Sequence, residues 1–132
     1  GACGACEAFE SLERPSFPEL DEGFSDTLLR LIDERGMSDS ECYRRANLDR
    51  KLFSKIRSNP SYHPSKATAI ALAFALELDM KDTESFLKKA GYALSDSYLS
   101  DVIVSYFIQR GDHDLFRLNE VLFLYDQPLI GQ

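Results

Sequence analysis

SDSECYRRANLDRKLFSKIR, residues 38 to 57, holds two helix starts with almost no room between them. Ser38-Asp-Ser-Glu41 is a capping box, in which the Ser38 hydroxyl and the Glu41 carboxylate satisfy backbone N–H groups that a helix start leaves without partners. Met37 and Cys42 supply the flanking apolar staple. Asp49 is a second cap, with Leu48 and Phe53 as its staple. Asn47, between them, tolerates the left-handed backbone that a tight helix–helix turn requires. Beyond Asp49, Leu52, Phe53 and Ile56 fall on one side of a helix. Arg50, Lys51, Ser54, Lys55 and Arg57 fall on the other. The stretch predicts a short helix, a tight turn and a second helix with a basic outer face.

Helical signals continue on both sides. Phe24, Leu28, Leu31 and Ile32 follow the i, i+4, i+7, i+8 spacing of one helix face, with Ser25 as the expected cap, Phe24 and Leu29 as the staple, and Gly36 as the stop. After the loop from Asn59-Pro60 to Pro64, Ser65 opens a helix whose run Ala69-Ile-Ala-Leu-Ala-Phe-Ala-Leu76 is apolar all round. Such a helix belongs at the centre of a core. Asp79 caps the next, which carries Phe86, Leu87 and Ala90 and stops at Gly91. Leu99, Val102, Ile103, Tyr106 and Phe107 predict one further apolar face, closed by Arg110-Gly111. Leu115, Leu118, Leu122 and Tyr125 predict another, ended by Pro128. No strand pattern, internal repeat or low-complexity tract interrupts them. The expected class is all-α.

The charge is segregated. The 132 residues carry a net −7, yet residues 44 to 66 hold seven Lys/Arg (Arg44, Arg45, Arg50, Lys51, Lys55, Arg57, Lys66) against Asp49 alone. That segment is +6 and the other 109 residues −13. An acidic whole disfavours indiscriminate binding to polyanions, while a local basic face favours a specific anionic partner. Residues 1 to 23 contain Pro15, Pro18 and six acids against Arg14, the composition of an acidic linker or tail on which Phe9, Leu12, Phe17 and Leu20 are the residues able to dock. Gly1 in place of Met reads as an expression remnant or a cut from a longer chain.

Cys3-Gly-Ala-Cys6 has C-x-x-C spacing, but no second pair completes a tetrahedral metal site and no βαβ pattern surrounds it, so these read as tail cysteines and Cys42 as a small core residue. No cofactor or metal is expected. His63 lies in a Pro-flanked loop, and His113 follows Asp112 at a helix start whose Asp112/Asp114 pair reads as capping chemistry. With no nucleophile placed beside either and no Gly-rich phosphate loop, catalysis is not expected. The six tyrosines are too scattered for a base-stacking platform. No signal peptide opens the chain and no apolar run is long enough for a bilayer, which makes a cytoplasmic protein the expectation.

The order of a short helix, tight turn, basic helix and buried helix resembles the lambda-repressor-like (Xre-type) helix-turn-helix family over roughly Leu28 to Gly91, about half the chain. The most specific part is Leu48-Asp-Arg-Lys-Leu-Phe-Ser-Lys-Ile-Arg57, which looks like that family's recognition helix. The implied fold is a five-helix helix-turn-helix core over residues 24 to 92 with a helical extension over 93 to 127, in one domain from 24 to 132. The implied function is binding of double-stranded DNA in transcription regulation. Arg50, Lys51 and Ser54 would lie where the family touches base edges, and Lys55, Arg57, Lys66 and Arg45 where it meets phosphates. Asp39-Ser-Glu41 departs from the neutral donor the family carries after the first cap, and two carboxylates there would repel a DNA backbone.

A second similarity covers Phe24 to the end. The pattern Met37-Ser-Asp-Ser-Glu-Cys-Tyr43, Asp49-Arg-Lys-Leu-Phe-Ser-Lys-Ile-Arg-Ser58, Pro64-Ser-Lys66 and Lys89-Ala-Gly-Tyr-Ala-Leu-Ser95 is similar to a bacterial domain often appended C-terminally to macro domains, the ADP-ribose-binding modules. It implies the alternative role: a non-catalytic accessory module that holds a protein partner, an RNA or its macro-domain neighbour. In either role the two C-terminal helices offer a homodimer surface wherever their apolar faces exceed what the domain covers.

Overall fold

Short polar side chains start five of the helices. The computed structural model describes residues 14–131, and in it Ser38 Oγ accepts a hydrogen bond from the Glu41 N–H (3.1 Å) and Asp49 Oδ1 one from Lys51 (3.1 Å). Ser65 (to Thr68, 3.1 Å), Asp79 (to Asp82, 2.8 Å) and Asp114 (to Arg117, 3.2 Å) do the same. The described residues form seven helices and no strand: α1 Phe24–Glu34, α2 Asp39–Arg45, α3 Arg50–Ser58, α4 Lys66–Ala75, α5 Met80–Lys89, α6 Leu99–Gln109 and α7 Leu115–Leu124. The all-α expectation holds. None of these helices is long and apolar enough to cross a membrane.

Two expected caps differ in detail. α1 starts at Gly23 without a side-chain cap, and Ser25 lies inside the first turn, buried, with its hydroxyl directed at the Asn59 carbonyl. The cause is Phe24, whose ring packs against Phe86 (centroids 4.6 Å apart) and draws the helix start into the core two residues early. At α2 the Ser38 half of the capping box forms, but the Glu41 carboxylate takes Arg45 one turn on (2.9 Å), exchanging a backbone donor for a charged one.

The core is built around α4. Every residue from Ala69 to Leu76 is buried, and α4 packs on α2, α5 and α7. The α2–α3 turn is made by Asn47 at φ 53, with the Leu48 N–H reaching back to the Tyr43 carbonyl (2.8 Å). This left-handed closure lets α3 leave α2 within four residues of connection, Ala46 to Asp49. Cys42 is fully buried, and burial, followed by the Asp39 and Glu41 carboxylates, pushes its thiol up to about 12. It is the small core residue expected.

The extension departs from its predicted faces. α6 packs on α5 and α7, burying Ile103, Val104, Phe107 and Ile108, whereas Leu99, Val102 and Tyr106 are exposed. Asp101 explains the rotation. The residue is 4% exposed and its carboxylate accepts from Lys66 Nζ (2.7 Å) and the Ser95 N–H (2.9 Å), so the inward stripe runs Asp101–Val104–Ile108. On α7, Leu115, Leu118 and Leu122 are buried as expected, but Tyr125 is exposed. The helix ends at Leu124, ahead of Pro128, through a left-handed Asp126 (φ 57).

The chain end is clasped onto the α2–α3 turn. The Asn119 side chain pairs in both directions with Ile130 (2.8 and 2.7 Å), and the Asn47 amide donates to the Gly131 carbonyl. Gly131 adopts φ 72, and a Cβ there would lie 2.6 Å from the Ala46 carbonyl oxygen and 2.7 Å from Leu115 Cδ2. Gly131→Ala is therefore expected to destabilise the domain by about 1–2 kcal/mol, combining left-handed strain with a backbone clash. Urea unfolding checks this; an unchanged midpoint would mean that the end peels away freely.

Candidate nucleic-acid interface

Helix periodicity sorts the α3 side chains. Phe53 and Ile56 are buried and Leu52 is half-buried, which leaves Arg50, Lys51, Ser54, Lys55 and Arg57 exposed. Arg50, Ser54 and Arg57 (i, i+4, i+7) form one line along the helix, and Lys51 and Lys55 the neighbouring line. The first line borders a shallow cleft of about 500 Å³ shared with Ser38, Asp39, Ser40 and Tyr43 of the α2 start.

The seven expected contact residues separate into two groups. Arg50, Lys51 and Lys55 are exposed with no ion pair among the described residues, and Ser54 lies between them. The other three cations are engaged within the chain. Arg57 donates to the Asp39 carboxylate across the α2–α3 junction. Arg45 bridges Glu41 (2.9 Å) and Glu77 (3.9 Å). Lys66 points inward onto Asp101, where a phosphate role would strand a buried carboxylate. Lys66 therefore joins α4 to α6 instead of facing a ligand.

These pairs change the meaning of the acidic α2 start. Asp39 and Glu41 each face a base of this chain, so at that edge the carboxylates are matched by Arg57 and Arg45. Arg44 is a further exposed cation with no ion pair among the described residues, at the α2 end. Its membership of the basic segment was the sequence signal for it.

The described part of the tail pairs elsewhere. Asp21 reaches Lys89, whose hydrogen bond lowers the carboxyl below its ordinary range. Glu22 reaches Arg30 (3.0 Å) and Thr27 (2.8 Å), and these hydrogen bonds lower it likewise. Both contributions to stability are present above the ordinary carboxylate range and fade as pH falls below it. Phe17 and Leu20 are exposed; Cys3, Cys6, Phe9 and Leu12 lie outside the described residues.

Both histidines are held by backbone carbonyls. His63 Nε2 bonds Ala90 O (2.7 Å) and stacks on Tyr92, while His113 Nε2 bonds Leu78 O (2.8 Å) at the edge of Phe74. Among the described residues no group of three or more His, Cys, Asp or Glu could hold a metal ion. Compared with models of known protein families, with curated proteins and with solved structures, the chain matches none.

Proposed function

We propose that this chain is a helix-turn-helix module that binds double-stranded DNA, with α3 entering the major groove. The observation that carries the reading is the set Arg50, Lys51, Ser54 and Lys55. It is exposed on one helix, free of ion pairs among the described residues, held forward by the Asn47 turn and packed from behind by α1 and α2. Arg50 and Ser54, on the line facing the α2 cleft, suit base edges, where Arg donates twice to guanine O6 and N7. Lys51 and Lys55 suit phosphates. Arg57 joins them only when Asp39 lets it go.

With Lys66 and Arg45 committed within the chain, about two to three phosphate contacts remain, which predicts log K falling with log salt at a slope of about −2 to −3. Lys55→Ala should flatten that slope by about one on every sequence, and Arg50→Ala should cost about 1–3 kcal/mol at its preferred base only. Asp39→Asn removes a carboxylate and releases Arg57, so it is expected to steepen the slope by about one and tighten binding about tenfold. Random-site selection followed by anisotropy titrations at two salt concentrations measures all of these. If no motif is enriched and Asp39→Asn changes nothing, the accessory reading, with a protein, RNA or macro-domain partner, is the better one. One observation favours that second reading: Phe116, Phe123, Leu124 and Tyr125 leave large apolar side chains in solvent at the C-terminal end.

A further inference from the structure

The outward face of α7 is apolar where a surface helix is ordinarily polar. Phe116, Glu120 and Phe123 follow i, i+4, i+7 spacing, so they share one face, and Leu124 extends it. Phe116, Phe123 and Leu124 are 75%, 72% and 76% exposed. They present about 450 Å² of apolar surface, roughly half of what each partner contributes to a standard-size interface. Phe116 and Phe123 also border an open groove of about 710 Å³ between α7 and the C-terminal end of α2. α2 contributes Arg44 to it, and α7 contributes Glu120. Each of these charges is exposed and without an ion pair among the described residues.

We infer that this face binds a second copy of the same chain about a two-fold axis. A two-fold interface must be self-complementary, so whatever one copy offers must suit the same patch on the other. This patch meets that condition. It carries an apolar ridge, a groove able to receive the partner's ridge, and one unpaired charge of each sign on different helices. The rotation sets Arg44 against the partner copy's α7 carboxylate and repeats the pair symmetrically. A one-signed ligand suits the groove less well, because Asp114, Glu77 and Glu120 line it together with Arg44 and Arg45. The charged rim completes the area that the apolar ridge begins. The association does not depend on the DNA-binding reading and is measured without DNA.

The test is sedimentation velocity on the full chain over a concentration series, where a dimer with Kd of about 1–100 µM is expected. Phe123→Asp should weaken association about 100-fold or more while leaving the helical circular dichroism unchanged, since that ring is exposed. Arg44→Glu and Glu120→Arg should each weaken self-association about five- to tenfold. An equimolar mixture of the two variants should recover it, because both cross-pairs are again opposite in sign. A chain that stays monomeric at every concentration overturns the proposal, as does a dimer indifferent to Phe123→Asp and to both reversals. Dimerisation that appears only after residues 1–13 are deleted also overturns it and assigns the groove to that acidic, Phe9-bearing segment.

Discussion

Replacing Lys66 with Met is expected to destabilise the protein by about 2–4 kcal/mol, far more than an exposed lysine of similar length would. Asp101 is 4% exposed, and its carboxylate is held by Lys66 Nζ and the Ser95 N–H. Without the ammonium, a buried carboxylate retains one neutral donor for a full charge, and breaking a buried pair from one side costs about 3–5 kcal/mol. The lower range here allows for water, because the Lys66 side chain is one-third exposed. The companion variant carries Lys66→Met together with Asp101→Leu. Replacing both partners with apolar groups is often close to neutral, so the double variant should recover most of the loss. Urea unfolding of the two variants reads the difference. If Lys66→Met costs less than about 1 kcal/mol, the pair behaves as a surface salt bridge and does not anchor α6 to α4. The same variant tests the phosphate role that the resemblance implied, since an outward lysine would change DNA affinity and leave stability alone.

Lys66 also shows where sequence stops being informative. Helix starts were legible because caps are local: Ser38, Asp49, Ser65, Asp79 and Asp114 bond donors two or three residues ahead. The Asn47 turn was legible for the same reason, as was α4, whose eight-residue apolar run fits only a buried position. Charge pairing is local only in part, as where Arg45 takes Glu41 one turn back. Lys66 finds its partner 35 residues away and Arg57 finds Asp39 18 residues back, so a list of bases in one segment could not separate engaged cations from free ones. Part of the α6 face failed through the same pair: Ile103 and Phe107 are buried as expected, but Leu99, Val102 and Tyr106 are exposed. Hydrophobic periodicity centred the Leu99–Val102–Ile103–Tyr106–Phe107 face away from Asp101 because it counts Asp101 as polar, whereas the buried ion pair turns Asp101 inward. The clasp at Gly131 had no periodic signal, since its physics lies in a close approach between distant segments of backbone.

Phe74→Ala is expected to be the costliest single truncation, at about 3–5 kcal/mol. Phe74 is among the largest fully buried side chains, sits on the helix that α2, α5 and α7 all touch, and meets His113 edge-on with centroids 5.9 Å apart. Truncation removes the transfer free energy of the ring and leaves a cavity that three surrounding helices cannot all close. A domain of this size has about 5–15 kcal/mol in total, so the variant should be marginal at physiological temperature. Phe74→Leu keeps most of the volume and should cost less than half as much. Ser38→Ala is the internal reference: it removes one cap at the edge of α2 and should cost about 1 kcal/mol. The denaturant midpoint should fall for both, with an unchanged slope if the native state keeps its compactness. Equal losses for Phe74→Ala and Ser38→Ala would mean that α4 is not the helix around which the others pack. α2, which packs on both α4 and α3, would then lose its buried support, and the α2–α3 pair its structural basis for a groove-entering helix.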